Sequence, residues 1–188
     1  MLLTVLAALL LLLPAALGGR LGRLAEVDIV GRHWLLLGLL LQVAALGLGR
    51  RASRTVLAGL HVASYLLLGG VLWASRRLPG SRLIALGGFL NGLTIALNGG
   101  TLPASAAAMD RAGLIPDAAE FSNSAPLEDP RLWFFGDVFA VPAPLPLANV
   151  FSVGDVLILA GVAVASIGIC GTRWTAGKAL PSPRSVGR

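Results

Sequence analysis

Apolar residues form five long runs along this chain, separated by segments that contain glycine, proline or arginine. The runs lie near 2–18, 33–49, 55–75, 83–98 and 153–171. Each run reaches or approaches the roughly 17 to 25 residues that a membrane-spanning helix needs. The pattern therefore predicts an all-α integral membrane bundle of about five transmembrane helices in a single domain, 1–172, with one long outer loop, 99–151, before the last helix.

The composition is typical of a membrane protein rather than of a soluble domain. Of the 188 residues, 56% are hydrophobic and only 13% are charged, and the mean hydropathy is +0.82; a soluble domain is usually less apolar and more charged. The net charge of +6 does not indicate nucleic-acid binding, because the arginines form short clusters between apolar runs. We therefore expect contact with a lipid bilayer and no nucleic-acid partner.

The basic residues predict the orientation of the helices. If the amino terminus is outside, ten basic residues face the cytoplasm: Arg20, Arg23, Arg32, Arg76, Arg77, Arg82, Arg173, Lys178, Arg184 and Arg188. Five then lie outside: Arg50, Arg51, Arg54, Arg111 and Arg131. The positive-inside rule favours this arrangement, although the outer cluster 50–54 stands against it.

Three further features complete the predicted topology. The first run has no positively charged segment before its leucines, so we expect it to remain as a helix rather than to be cleaved as a secretory signal. The tail, 173–188, combines proline, serine and scattered cations, which predicts a disordered cytoplasmic segment. The strong preference for arginine over lysine favours a bacterial source, and so a multi-pass protein of a bacterial plasma membrane.

The long loop is acidic. Seven of the nine acidic residues lie in or just after it: Asp110, Asp117, Glu120, Glu128, Asp129, Asp137 and Asp155. The sequence predicts a short surface helix within 106–121, and three prolines within 142–146 predict an extended or polyproline segment. Aromatic residues at 133–135 and Phe139 suit the headgroup level of a membrane. We therefore expect this loop to lie along the outer membrane surface.

Polar residues follow one face of the third apolar run and one face of the fourth. The first set is His61, Ser64 and Tyr65, and the second is Asn91, Thr94 and Asn98. Polar groups are costly in hydrocarbon without partners, so the two faces should meet each other or a wet cavity. They either form interhelical hydrogen bonds or bind a substrate, for which His61, Asn91 and Asn98 are the candidates. Gly88 and Gly92 predict close helix packing beside them.

Two aspartates, Asp137 and Asp155, are the candidate catalytic residues, and each lies in a Gly-Asp-Val tripeptide. Ser152-Val-Gly-Asp155 is also a capping-box pattern, which would explain Asp155 as the cap of the last helix. Asp137 has no comparable explanation apart from a solvated position in the loop. We expect the two carboxylates to lie close together at one end of the last helix.

The stretch NGGTLPAS at 98–105 is followed by GDV and then by FSVGD at 151–155. Through these stretches the chain resembles an uncharacterised family of small polytopic bacterial membrane proteins, a domain of unknown function. A local resemblance is to signal peptidase II, the membrane aspartyl peptidase that trims bacterial prolipoproteins. Asp137 matches its loop aspartate, and 151–155 matches its Phe-Asn-x-Ala-Asp motif, with Ser152 and Gly154 as departures. This resemblance implies catalytic roles for Asp137 and Asp155 and a lipidated or peptide substrate.

The sequence leaves two main functions open, with transport as a third. The first is a non-enzymatic membrane subunit or scaffold whose acidic outer loop contacts a membrane-protein partner or lipid. It is favoured because no metal-ligand or cofactor-binding spacing is present, and we expect neither a metal nor a cofactor. The alternative is a membrane aspartyl peptidase-like hydrolase. Two carboxylates about 4 Å apart would repel by roughly 4 kcal/mol, so one of them would keep its proton.

Overall fold

The structure is a computed structural model that describes residues 2–48, 51–115 and 124–172. Helices occupy the five apolar runs: α1 (Leu2–Ala16), α2 (Arg32–Leu48), α3 (Arg54–Ala74), α4 (Ser81–Leu97) and α6 (Val153–Cys170). A further short helix, α5 (Ala106–Ala112), lies in the long loop between α4 and α6. The tail that the sequence predicts to be disordered, 173–188, lies outside the described residues.

Two of the helices are long and apolar enough to cross a membrane. These are α3 and α6, whose apolar windows have mean hydropathies of 1.8 and 2.2. The other three helices of the apolar runs, α1, α2 and α4, are apolar but shorter. The described part of the chain is therefore mostly helical, with two candidate membrane-spanning helices.

The helices pack side by side in an order that differs from their order in the chain. Helix α2 packs on α3, α3 on α4, α4 on α6, and α6 on α1. The last helix thus lies between the first and the fourth. A hydrogen bond of 2.8 Å from the Ser166 hydroxyl to the Leu10 carbonyl joins α6 to α1. Because α4 packs on α6, the start of α6, which carries Asp155, lies against α4.

Glycines allow α4 and α6 to approach closely. A Cβ atom at Gly87 would lie 3.0 Å from the backbone nitrogen of Ile158, and one at Gly154 would lie 2.7 Å from the Gly87 carbonyl oxygen. Gly92 packs against Tyr65 of α3, as the sequence predicts. For Gly88 the prediction of close packing is wrong, because a Cβ atom there would have no neighbour within 4 Å. Its side of α4 faces an open groove instead.

The long loop contains two small sheets, so the all-α prediction is wrong there. Strand β1 (Leu102–Pro103) pairs in parallel with β2 (Ser124–Ala125), and β3 (Phe139–Val141) pairs antiparallel with β4 (Asn149–Phe151). Strands of two or three residues are too short to show the alternating pattern by which a strand is recognised in a sequence. The segment 142–148 connects β3 to β4 through turns. The predicted extended proline segment is therefore also wrong, and the fixed φ of proline suits these turn positions.

Helix α5 packs beneath the second sheet and gives the loop a small core. Ser105 caps this helix by accepting a hydrogen bond from the Ala108 N–H, and Gly113, at φ 66°, ends it. The core consists of Ala104, Ala108, Met109, Ala112 and Val150. The predicted surface helix within 106–121 is therefore present over 106–112 and ends at Gly113, and residues 116–121 lie outside the described residues. The acids Asp117 and Glu120, in 116–123, lie outside the described residues.

Candidate functional site

Asp155 lies in a closed set of hydrogen bonds at the start of α6. The Ser152 hydroxyl accepts from the Asp155 N–H at 3.0 Å, and the Asp155 Oδ2 accepts from the Ser152 N–H at 2.9 Å, which is a complete capping box. Asn91 of α4 adds a third partner, since its Nδ2 donates to Asp155 Oδ1 at 2.9 Å. The Ser152 hydroxyl donates in turn to Asn91 Oδ1 at 2.9 Å. Both oxygens of Asp155 therefore accept hydrogen bonds from N–H groups.

The backbone of Asp137 is fixed between β1 and the start of α5. Its N–H donates to the Pro103 carbonyl at 2.8 Å, and its carbonyl accepts from the Ser105 N–H at 3.0 Å. Gly136, directly before it, is buried against the Pro103 carbonyl, where a Cβ atom would not fit. The position of Asp137 is thus set by main-chain hydrogen bonds, as in a strand, rather than by a flexible loop.

The side chain of Asp137 is buried, which excludes the solvated loop position that the sequence left open. Only 6% of the residue is exposed, and its Oδ1 has no hydrogen-bond partner among the described residues. The pKa of this carboxyl is raised to about 6, chiefly because the group is buried; a hydrogen bond with the Ser124 side chain opposes the rise, and the negative charge of Asp155 adds to it. Asp137 can therefore hold a proton close to neutral pH.

The carboxyl groups of Asp137 and Asp155 interact electrostatically. The charge of Asp155 acts on Asp137, and both charges act on the phenol of Tyr65 in α3. Tyr65 also packs edge-on against His61, with ring centroids 5.4 Å apart. Two helices, α3 and α6, and the loop thus contribute ionisable side chains to the same end of the bundle. The arrangement unites one buried carboxyl that can hold a proton with one carboxylate that N–H donors fix in place.

Asn98, a predicted substrate-binding residue, attaches the loop to the end of α4. Its Nδ2 donates to the Arg131 carbonyl at 2.8 Å, and its Oδ1 accepts from the Arg131 N–H at 2.8 Å. Its Nδ2 also donates to the Thr94 carbonyl of its own helix. Both polar ends of Asn98 therefore contact backbone, which gives this side chain a structural use.

His61 of α3 is also a predicted substrate-binding residue, and it is buried, with 1% of its surface exposed. Its Nδ1 donates to the Gly100 carbonyl at 2.9 Å, so it contacts the turn that follows α4. The sequence predicts that the polar faces of α3 and α4 meet. Tyr65 and His61 of α3 lie at the end of α4 that precedes the loop. The side-chain amide of Asn91 instead forms hydrogen bonds at the start of α6.

Two serines take part in the site beyond the predicted set. Ser124, which hydrogen-bonds Asp137, gives no signal in the sequence because β2 pairs with β1 across a long stretch of chain. Ser152 is recognisable as a helix cap, but its second bond, to Asn91, depends on how α4 meets α6. Over the described residues, no group of three or more His, Cys, Asp or Glu side chains could hold a metal ion.

Comparison with known proteins places the chain in a family. An uncharacterized protein of Thermotoga maritima is 34% identical over 91 residues, which are 48% of this chain and 52% of that protein. The chain therefore spans about half the length of this relative. No solved structure matches the chain. Residues 26–167, which include both aspartates, match a family of unknown function, and the chain accordingly belongs to that family, DUF5317.

Proposed function

We propose that this protein is a multi-pass protein of a bacterial plasma membrane that hydrolyses a peptide bond with Asp137 and Asp155. One observation carries the proposal. A loop carboxyl is buried with an oxygen that has no hydrogen-bond partner among the described residues, and it lies where the charge of Asp155 reaches it. Leaving a buried polar atom without a partner costs about 1–3 kcal/mol, so its retention favours a functional use.

The membrane location is supported by the distribution of side chains over the helices. Large apolar residues point outward, among them Leu66 at 72% exposed, Leu40 at 65% and Phe89 at 62%. Many of the positions buried between helices hold small or polar side chains such as Ser64 and Ser166, beside a few larger ones such as Ile95. This distribution is the reverse of a water-soluble bundle and suits helices that pack within lipid. All five long helices span the membrane in this proposal, with the amino terminus outside.

The chemistry follows from the different surroundings of the two carboxyl groups. The Asp155 carboxylate, held by Asn91 and the Ser152 N–H, takes a proton from water. The water oxygen then attacks the carbonyl carbon of the substrate, while protonated Asp137 gives its proton to the carbonyl oxygen. In the second step the C–N bond breaks as Asp155 gives the proton it took from water to the leaving nitrogen. Asp137 takes a proton back from one hydroxyl of the tetrahedral intermediate, which gives a carboxylic acid and an amine and restores both residues. Asp137 and Asp155 are the catalytic residues of this scheme.

The test is a search for new peptide ends. The full chain is reconstituted with bacterial membrane proteins in vesicles made in water enriched in ¹⁸O, and new carboxyl termini that carry the label are identified by mass spectrometry. We expect labelled termini with the parent protein and none with Asp137→Asn or with Asp155→Asn. The matched control is Asp110→Asn, which changes an exposed acid of α5 and should leave cleavage intact.

Each variant needs a measurement of its folding, because Asp155 also caps α6. Asp155→Asn keeps one oxygen that can accept from the Ser152 N–H, as the cap requires, but it cannot take a proton from water, so it separates the cap from the chemistry. Cleavage that survives either substitution in a folded protein contradicts the hydrolase, and so does the absence of labelled termini with the parent protein.

A non-enzymatic subunit or scaffold is the second candidate, and the hydrogen bonds of Asp155 favour it. The capping box and Asn91 account for this carboxylate without any chemistry. The loop also exposes Trp133 at 61% and Phe134 at 47%, which is an apolar surface that a membrane-protein partner or lipid headgroups could cover. Absence of cleavage, together with loss of a co-purifying membrane protein on Trp133→Ala, would select this function.

A further inference from the structure

A long groove runs between α3 and α4 on the outside of the bundle. Its volume is about 910 Å³. It begins near Val62 and Ala96, passes Tyr65 and ends between Arg76 and Arg82. Over the α3 residues from Val62 to Ala74 the helix rises about 18 Å, at 1.5 Å per residue. One leaflet of a bilayer has a hydrocarbon depth of about 15 Å, so the groove is as long as a lipid tail is deep.

The walls of the groove divide into a long apolar part and one basic end. Leucine, alanine, valine, phenylalanine and glycine line most of its length, and no acidic residue lines it within the described chain. Arg76 and Arg82 are exposed at the end where α3 finishes and α4 begins. The Arg76 guanidinium lies 5.6 Å from the centre of the Trp73 ring, which also lines the groove. A ligand that fits these walls has an apolar tail and an anionic head.

Glycines keep the groove open. Gly69, Gly70 and Gly88 all line it, and a Cβ atom at any of them would have no neighbour within 4 Å. These glycines therefore do not serve contacts within the chain, in contrast to Gly87 on the opposite side of α4. A side chain at any of these positions would therefore occupy space in the groove.

We infer that this groove is a binding site for an anionic phospholipid. One acyl chain lies along the glycine-lined part, and the headgroup phosphate lies between Arg76 and Arg82. This inference rests on the proposed membrane location but not on the proposed hydrolysis, because the basic end is at the opposite end of α3 and α4 from Asn98 and the loop. Arginine recognises phosphate through its planar fork of N–H donors.

The test uses Trp73 as the reporter. Trp34, Trp133 and Trp174 are replaced by Phe in the full chain, which leaves Trp73 as its single tryptophan. The protein is reconstituted in phosphatidylcholine vesicles that contain increasing fractions of chain-brominated phosphatidylglycerol or, separately, chain-brominated phosphatidylcholine. We expect brominated phosphatidylglycerol to quench Trp73 fluorescence at a much lower fraction. Each arginine should contribute about fivefold to this preference.

Substitutions at the basic end of the groove distinguish specific binding of phosphatidylglycerol from contact with bulk lipid. Arg76→Gln and Arg82→Gln should each lower the preference about fivefold, and Arg76→Lys should largely keep it. Arg77→Gln is the matched control, because Arg77 is exposed beside Arg76 but does not line the groove. It should change the preference less than twofold. Gly69→Leu with Gly88→Leu should fill the groove and reduce the quenching by both lipids.

Three outcomes would overturn the inference. Equal quenching of Trp73 by the two brominated lipids would mean contact with bulk lipid only. An equal effect of Arg77→Gln and Arg76→Gln would mean a general surface charge. Quenching by neither lipid, with cross-linking between chains at Gly69→Cys, would mean that a second copy fills the groove. A chain that does not enter vesicles at all would instead contradict the membrane location proposed above.

Discussion

The side chain of Asn91 donates a hydrogen bond of 2.9 Å to Asp155 and so joins α4 to the first turn of α6. Ser152 completes the connection by donating to the same amide of Asn91. Asp155 is thus held from its own helix and from a neighbouring one. This rigid setting serves a helix cap and a catalytic base equally well, and the difference between the two functions lies in Asp137.

The first prediction concerns the stability that Asn91 provides. Asn91→Ala removes the donor to Asp155 Oδ1 and the acceptor of the Ser152 hydroxyl in a buried setting, so we expect a loss of about 2–4 kcal/mol in the free energy of unfolding. The measurement is chemical unfolding of the purified full chain in detergent micelles.

Thr94→Val is the matched control for Asn91→Ala. Thr94 is fully buried one turn further along α4, but its hydroxyl donates only to the Leu90 carbonyl of its own helix. This substitution should cost no more than about 1 kcal/mol. Equal losses for the two variants would contradict a special role of Asn91 between α4 and α6.

The second prediction is a fall in stability with rising pH that depends on Asp137. The pKa of this carboxyl is about 6 in the folded protein against 3.8 for the ordinary group. The folded state therefore binds the proton more tightly than the unfolded chain does. The resulting stabilisation is complete below about pH 4 and is lost as the pH rises to about 6, a change of roughly 3 kcal/mol.

Asp137→Asn tests that pH dependence. The variant has no titrating group at this position, so its stability should lack this fall between about pH 4 and 6, and at pH 7.5 it should be at least as stable as the parent protein. Unfolding curves at several pH values provide the measurement. Asp110→Asn, at an exposed acid, should keep the fall; a parent protein that gains stability over the same interval would contradict the burial of a protonated Asp137.

The apolar runs indicate where the helices lie, because a continuous stretch of leucine and alanine has few other stable conformations. The capping box at Ser152 is equally local and can be read from four residues. The burial of Asp137 cannot be predicted from local sequence, since it depends on β1, β2 and α5, which come from distant parts of the chain and meet around this residue. The difference between Gly87 and Gly88 cannot be predicted from the sequence either, because only the packing of α6 against α4 distinguishes these adjacent glycines.

The third prediction compares the effects of substituting these two adjacent glycines. A methyl group at Gly87 meets the backbone of Ile158, so Gly87→Ala should separate α4 from α6 at a cost of about 1–3 kcal/mol. Gly88→Ala adds the same methyl group where no neighbour lies within 4 Å, and alanine favours a helix, so we expect no loss. Thermal unfolding of both variants compares them directly, and a similar loss for both would contradict the contact between α4 and α6.

The fourth prediction concerns the attachment of the loop through Asn98. Asn98→Ala leaves the Arg131 N–H and carbonyl without their partners, so the Arg131 amide should exchange its hydrogen about tenfold faster or more. Hydrogen exchange followed by mass spectrometry resolves this segment from α5. Exchange in α5 should stay unchanged, since Ser105 caps that helix independently. Unchanged exchange at Arg131 would show that other contacts hold this part of the loop.

The fifth prediction is the orientation of the chain in the membrane. The ten basic residues assigned to the inner segments against five in the outer ones predict a cytoplasmic carboxyl terminus and an outer loop between α4 and α6. A reporter active only in the cytoplasm, fused after Arg188, should be active, and one inserted near Pro116 should be inactive. An enzyme active only outside the cytoplasm should give the reverse result at both positions. The opposite labelling would contradict this orientation and would put Asp137 and Asp155 on the cytoplasmic side of the membrane.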